Sequence, residues 1–184
     1  MSNSRQRLLE LFKDRAMSFG RFILASGKES TYYINSKKAP FNSEIAWLLG
    51  EVLFESTKDL NVQAVGGLEV GAIPMAAVLV QRYHQAGVPM EGFFVRKQAK
   101  AHGSQERIEG VMKPGMRVAI LEDVSTTGGS AQQAITEVEK AGGTVVAVVC
   151  IVDRLEGAGE LLGKYTFRPI FTIRDFGIEA VGLY

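Results

Sequence analysis

The sequence predicts an α/β fold: a parallel sheet flanked by helices, preceded by a small N-terminal helix-plus-hairpin segment. Three observations predict it. Short apolar runs recur, among them "VQAVGG", "GFFVRK", "RVAILED" and "TVVAVVCIVD", and they end in glycines, acids or hydroxyls. Segments with helical spacing stand between them. The resulting order of strand, helix, strand, strand, helix, strand calls for crossover connections, hence a parallel sheet with helices on both faces. The 184 residues suffice for one well-cored domain, read here as 1–184, with a hood over about 1–40 and the α/β core over about 41–184.

Leu8, Leu9, Phe12 and Ala16 recur at helical spacing and predict a first helix. "RFILASGKESTYYIN" reads as two short strands about a Ser-Gly-Lys-Glu-Ser turn. A second helix starts near Ser43, with Asn42 or Ser43 as its cap and Ile45, Leu48, Leu49, Val52 and Leu53 on one face; Trp47 is assigned to the core. "VQAVGG" is a strand, followed by a helix from Gly71 to about Gln85, on which His84 is structural. "GFFVRK" is a strand, and "QAKAHGSQERIEG" is polar without apolar period. "RVAILED" is a strand. Ala131, Ala134, Ile135, Val138 and Ala141 mark a helix that stops at Gly142-Gly143, before the buried strand "TVVAVVCIVD".

Composition excludes several function classes. A net charge of +1 gives no bulk attraction to nucleic acid or acidic membranes. The single cysteine, Cys150, lies inside an apolar run and reads as a buried thiol, which fits a cytoplasmic protein and gives neither an intrachain disulfide nor a zinc cluster. The N-terminus is too polar for a signal peptide, and no apolar stretch approaches the roughly 20 residues of a membrane span. Glycine is enriched, at 20 of 184 residues; it gathers where backbone must turn or approach a ligand.

The informative stretch is "VAILEDVSTTGGS", Val118 to Ser130. In open parallel sheets ligands bind beyond the carboxyl ends of the strands. The helix that follows offers free N–H groups and a partial positive charge to a phosphate. Gly128 and Gly129 let the backbone curl around it, and Ser125, Thr126, Thr127 and Ser130 add hydroxyl donors. Glu122 and Asp123 would repel a phosphate and suit ribose hydroxyls or a magnesium ion. The competing reading is an acidic strand end with a Ser/Thr helix cap. Neither G-x-x-x-x-G-K-[ST] nor G-x-G-x-x-G is present here, which disfavours a P-loop or a dinucleotide site.

This run resembles the signature of the type I phosphoribosyltransferases, which bind PRPP (5-phosphoribosyl 1-diphosphate). The resemblance extends from about Phe19 to the C-terminus and implies that family's Rossmann-like sheet. It implies that Glu122 and Asp123 hold the ribose hydroxyls. With Val124, the loop Ser125, Thr126, Thr127, Gly128, Gly129 and Ser130 then completes the PRPP site around the 5-phosphate. "RKQAKAHG" resembles the catalytic loop of the family's orotate-using members. That implies contacts from Arg96, Lys97, Lys100 and His102 to the diphosphate, with Lys100 and Asp123 as the catalytic residues; alone, the charge run reads as a solvated face. "FILASGKESTYYIN" resembles the base-side motif, with Ser26, Gly27, Ser30, Tyr32 and Tyr33 in place. Many relatives have lysine where this chain has Ala25, and Lys37 and Lys38 lie nearby. "VDRLEGAGE" resembles the segment whose arginine meets the base, so Arg154 is an orotate-binding candidate, beside Thr126 of the PRPP loop; a guanidinium binds a carboxylate bidentately. The alternative for Arg154 is a surface charge pattern with Asp153. "GGLEVGAIPMA" resembles the diphosphate loop, with Gly71 where some relatives carry lysine, leaving the work to backbone N–H groups of Gly67 to Ala72.

The resemblance implies transfer of the phosphoribosyl group of PRPP to orotate, giving orotidine 5′-monophosphate and diphosphate. It implies Mg2+ held mainly by PRPP rather than by a protein metal site, and a homodimer in which the Arg96–His102 loop is shared across subunits. The alternatives are a purine or uracil transferase of the same fold and a non-catalytic PRPP-sensing regulator.

Overall fold

The computed structural model describes residues 3–23, 29–98 and 107–180. The hood consists of α1 (Asn3–Ala16), β1 (Met17–Ile23) and β2 (Glu29–Ile34), followed by a 3-10 turn at Ser36–Lys38. Strands β1 and β2 pair antiparallel, as the sequence predicts. The core runs α2 (Ser43–Thr57), β3 (Ala64–Leu68), α3 (Ala72–Gln85), β4 (Glu91–Val95), β5 (Ile108–Gly110), β6 (Arg117–Ser125), α4 (Gly129–Lys140), β7 (Thr144–Asp153), α5 (Ala158–Leu161) and β8 (Thr166–Thr172).

The sheet order is β5-β4-β3-β6-β7-β8, parallel except for the edge strand β5. Two strands escape the sequence reading. The three-residue β5 is too short for a detectable alternation, and β8 carries Arg168 and Pro169 in its middle. Side chains along β6 and β7 alternate between two cores. Ala119, Leu121, Val149 and Ile151 pack with α1, α2 and α3, whereas Val118, Ile120 and Val148 pack with α4. Each fully buried aliphatic contributes roughly 1.5–3 kcal/mol. Cys150 is buried in this sheet, as expected.

Asn42 caps α2 by accepting from the Ile45 N–H at 3.1 Å. Trp47 departs from expectation: it is 59% exposed. At roughly 100° per residue it points about 200° from Ile45, away from the apolar stripe. His84 is exposed in the last turn of α3. The hood is bound at both ends. Leu8, Leu9 and Phe12 join the core, and Arg5 donates to the Ile170 carbonyl at 2.9 Å and pairs with Asp175 at 3.0 Å. Among the described residues no helix is long and apolar enough to cross a membrane.

The chain leaves β3 toward β4 on one side and returns at β6 on the other. That reversal opens a crevice beyond the carboxyl ends of β3 and β6. Their pairing ends at Gly66 and Ile120, so the last residues of β6 part from β3.

Candidate active site

A cleft of about 230 Å³ occupies this crevice. Leu68, Glu69, Val70 and Gly71 form one wall, and Glu122, Asp123, Val124 and Ser130 form another. Lys97 enters from the end of β4, and Ile34, Ser36 and Lys37 close it from the hood. Five residues expected at the PRPP site, Lys97, Glu122, Asp123, Val124 and Ser130, therefore share one cleft.

The two acids differ. Glu122 is 8% exposed, and burial together with the adjacent charge of Asp123 pushes its carboxyl up to about 9, so it is protonated at neutral pH. Asp123 reaches into the cleft, accepts from the Ser36 hydroxyl and lies 3.9 Å from Lys37 Nζ.

After β6 the chain turns at Gly128, whose φ of 85° is left-handed and suits glycine. No side chain caps α4 and no acid occupies its first turn, which removes the Ser/Thr-cap reading. The N-terminal N–H groups of this 12-residue helix face the loop without a side-chain competitor. Ser125 Oγ is buried and, among the described residues, has no hydrogen-bond partner; such a group is spare donor capacity beside the loop. Thr127, Gly129 and Ser130 are exposed, and Thr126 is half-buried.

Arg154 is tied to this same loop. Its N–H donates to the Ser125 carbonyl at 2.9 Å, and the Ala158 N–H donates to the Thr126 carbonyl at 3.1 Å. Its side chain is 11% exposed and follows the buried Asp153, which excludes a surface charge pattern. Arg154 Nε donates to Tyr32 Oη at 3.0 Å. Tyr32 comes from the base-side motif, and burial raises its phenol above the ordinary value.

Arg96 and Lys97 stand at the end of β4; Lys100 and His102, like Ala25, Ser26 and Gly27, lie outside the described residues. The stem of that segment is fixed. Arg107 donates to the Arg96 carbonyl at 2.8 Å and the Lys97 carbonyl at 2.9 Å, and pairs with Glu137 of α4 at 3.2 Å. The Lys97 N–H donates to Glu69 Oε1 at 2.8 Å, joining the β3 and β4 loops.

The glycines at the end of β3 and just beyond it are set largely by packing. A Cβ on Gly67 would lie 2.1 Å from the Leu121 carbonyl oxygen, and one on Gly71 would lie 2.5 Å from the Asp123 carboxyl. A lysine at position 71 would therefore displace Asp123. Lys37 lines the cleft, whereas Lys38 is exposed and absent from its lining. Sequence reasoning missed Ser36, Glu69 and Arg107. Each acts on a residue at least 10 positions away, and only the hydroxyl before the lysine pair gives Ser36 any local signal.

Together these groups place a free helix start, a carboxylate and two lysines around one cleft, with Arg154 tied to the adjoining loop. The chain matches the family model "Phosphoribosyl transferase domain" over residues 39–182. It is 46% identical to the orotate phosphoribosyltransferase of Streptomyces coelicolor, over 100% of both chains. It is 42% identical to that of Bradyrhizobium diazoefficiens, covering 95% of this chain and 97% of the relative. Among solved structures, Mycobacterium tuberculosis orotate phosphoribosyltransferase in complex with PRPP superposes with a TM-score of 0.80 at 34% identity, covering 95% of this chain and 99% of that one.

Proposed function

The chain belongs to the orotate phosphoribosyltransferases of the phosphoribosyl transferase family, and from that premise we propose that it transfers the 5-phosphoribosyl group of PRPP to orotate. The products are orotidine 5′-monophosphate and diphosphate, a step of pyrimidine biosynthesis. One observation carries this reading beyond family membership: the half-buried Arg154 is bonded through its backbone to the loop that leads into the α4 phosphate cradle. A group that recognises a carboxylate is thereby held at a fixed offset from a site suited to phosphoribose. Uracil and purine bases have no carboxylate for it to meet.

In this reading the loop from Ser125 to Ser130 takes the 5-phosphate and Asp123 orients the ribose hydroxyls. Glu122, protonated, adds no charge and can donate. N1 of orotate bonds to C1 as the bond from C1 to the diphosphate oxygen breaks, and the N1 proton is released to the leaving diphosphate or to water. Charge grows on the leaving diphosphate, and cations placed for that charge lower the barrier more than they stabilise the ground state. Arg96, Lys97, Lys100 and His102 are assigned that role, with Lys100 the chief contributor and Thr126 a second contact to orotate.

A magnesium ion in the cleft would take most of its oxygen ligands from PRPP, with Asp123 the carboxylate that reaches in beside it. Magnesium bound there would neutralise diphosphate charge. The assignment also includes a homodimer in which the Arg96–His102 segment serves the partner's site, and a cytoplasmic location.

The test is orotate consumption followed by absorbance with PRPP and magnesium, with uracil, hypoxanthine and guanine in parallel. Turnover of orotate alone is expected. Turnover of another base in preference, or PRPP binding without turnover, would replace the assignment by a purine or uracil transferase or by a PRPP sensor.

A further inference from the structure

Arg154, which follows β7 and is tied to the Ser125–Thr126 loop, does not stand alone. Its guanidinium carbon lies 4.8 Å from the centroid of the Tyr32 ring, and Nε donates to the Tyr32 hydroxyl at 3.0 Å. Glu156 Oε1 is 2.9 Å from the same Nε. Tyr32 is 4% exposed and belongs to the hood, 122 residues away along the chain. Its backbone is fixed as well: β2 pairs it with Phe19, and the Ser30 hydroxyl donates to its carbonyl at 2.7 Å.

A guanidinium is a planar fork with five N–H groups. Bound to nothing, it would rotate about its stem and present any edge. Here the Tyr32 ring lies against the guanidinium and restricts its tilt. The single N–H of Nε, held between the Tyr32 hydroxyl and the Glu156 carboxylate, sets its rotation. Among the described residues neither terminal nitrogen of Arg154 has a hydrogen bond to protein. The edge formed by those two nitrogens is the one that binds a carboxylate with two parallel bonds. Glu156 neutralises a charge that would otherwise be costly to keep half-buried.

We propose that Tyr32 is a positioning residue for base selection: by the contact of its ring and by its hydroxyl it aims the terminal edge of Arg154 at the carboxylate of orotate. This rests on the orotate reading above and deepens it. Selectivity for a carboxylate-bearing pyrimidine is then set by the contact between hood and core, not by the Arg154 segment alone.

The experiment compares the unaltered protein with Tyr32→Phe and Tyr32→Leu. Steady-state constants for orotate and PRPP, and the discrimination of orotate against uracil, are measured for each. Phenylalanine keeps the ring and removes the hydroxyl; leucine removes both. The KM for orotate should rise about tenfold in Tyr32→Phe, the scale of one hydrogen bond to a charged group. It should rise further in Tyr32→Leu. The KM for PRPP should stay within about twofold, because the phosphate loop keeps its own anchors. A purely structural tyrosine would raise both constants together or lower kcat alone, and either result overturns the proposal. So does an unchanged orotate KM in Tyr32→Phe, a variant that keeps the packed ring and tests the hydroxyl even where Tyr32→Leu does not fold. No orotate turnover by the unaltered protein would overturn the functional reading and this proposal with it; normal turnover with an indifferent Tyr32→Phe overturns this proposal alone.

Discussion

The β6–α4 turn and the hood meet at one cleft from opposite parts of the chain, and they are built in opposite ways. The turn is contiguous. Glu122 to Ser130 supply acids, hydroxyls, glycines and a helix start in nine successive residues, on a strand buried among five others. The hood contributes single side chains from afar. Ser36 reaches Asp123 across 87 residues, and Tyr32 reaches Arg154 across 122. A phosphorylated sugar is a constant demand that one rigid local element can meet. In the proposed assignment the base end is instead assembled by docking a separate two-stranded segment against the core.

The largest effect should come from the cations that complete the turn's chemistry. Lys100→Ala should lower kcat by ~10²–10³ while PRPP still binds, the scale for one preorganised electrostatic group. Rapid-quench turnover and PRPP titration check both halves. Refolding Lys100→Ala together with Asp123→Asn then tests the shared dimer. Half the dimers would be mixed, each with one intact site, so activity should return to roughly a quarter of normal. Mixed dimers verified by mass but no more active than the parents would assign the cationic segment to its own subunit.

The hood's contact with Asp123 should weigh less. Ser36→Ala removes one charge-assisted bond to Asp123 and should raise the KM for PRPP by about threefold to tenfold with little change for orotate. A rise for orotate instead would move Ser36 to the base side and blur the division between the two regions.

A separate effect is on stability rather than turnover and belongs to the buried end of the turn. The Glu122 carboxyl titrates at about 9 in the folded protein against an ordinary 4.5. Between those values the folded chain holds a proton that the unfolded chain has lost, so this group's contribution to stability falls as pH rises. Glu122→Gln has no such proton. Its thermal midpoint should exceed that of the unaltered protein near pH 8.5, and the gap should close near pH 5. A gap that is constant with pH would mean that Glu122 is not the titrating group.

Legibility in the sequence follows the same line. The β6–α4 site could be read because its residues are neighbours and glycines beside hydroxyls are uncommon after a buried strand. Arg154 was singled out through the resemblance of its segment, and the structure ties its backbone to the Ser125 carbonyl. Ser36 and Glu69 were not, because their partners depend on how the hood docks and how β3 lies beside β4. Trp47 was misplaced because its neighbours are apolar, although its angular position on α2 faces solvent. The short β5 gave no periodicity to detect. Local chemistry was visible, and contacts across elements were not.

Arg154→Ala separates the two ends of the cleft in one comparison. Both Michaelis constants are measured on the same enzyme preparation. Loss of a bidentate, charge-assisted contact, roughly 1.5–3 kcal/mol, should raise the KM for orotate by about tenfold to a hundredfold. The KM for PRPP should remain within about twofold, since the Ser125–Ser130 loop keeps its glycine turn and helix start. Equal rises for both substrates, or none for orotate, would contradict a carboxylate-reading arginine and with it the assignment of this cleft to orotate.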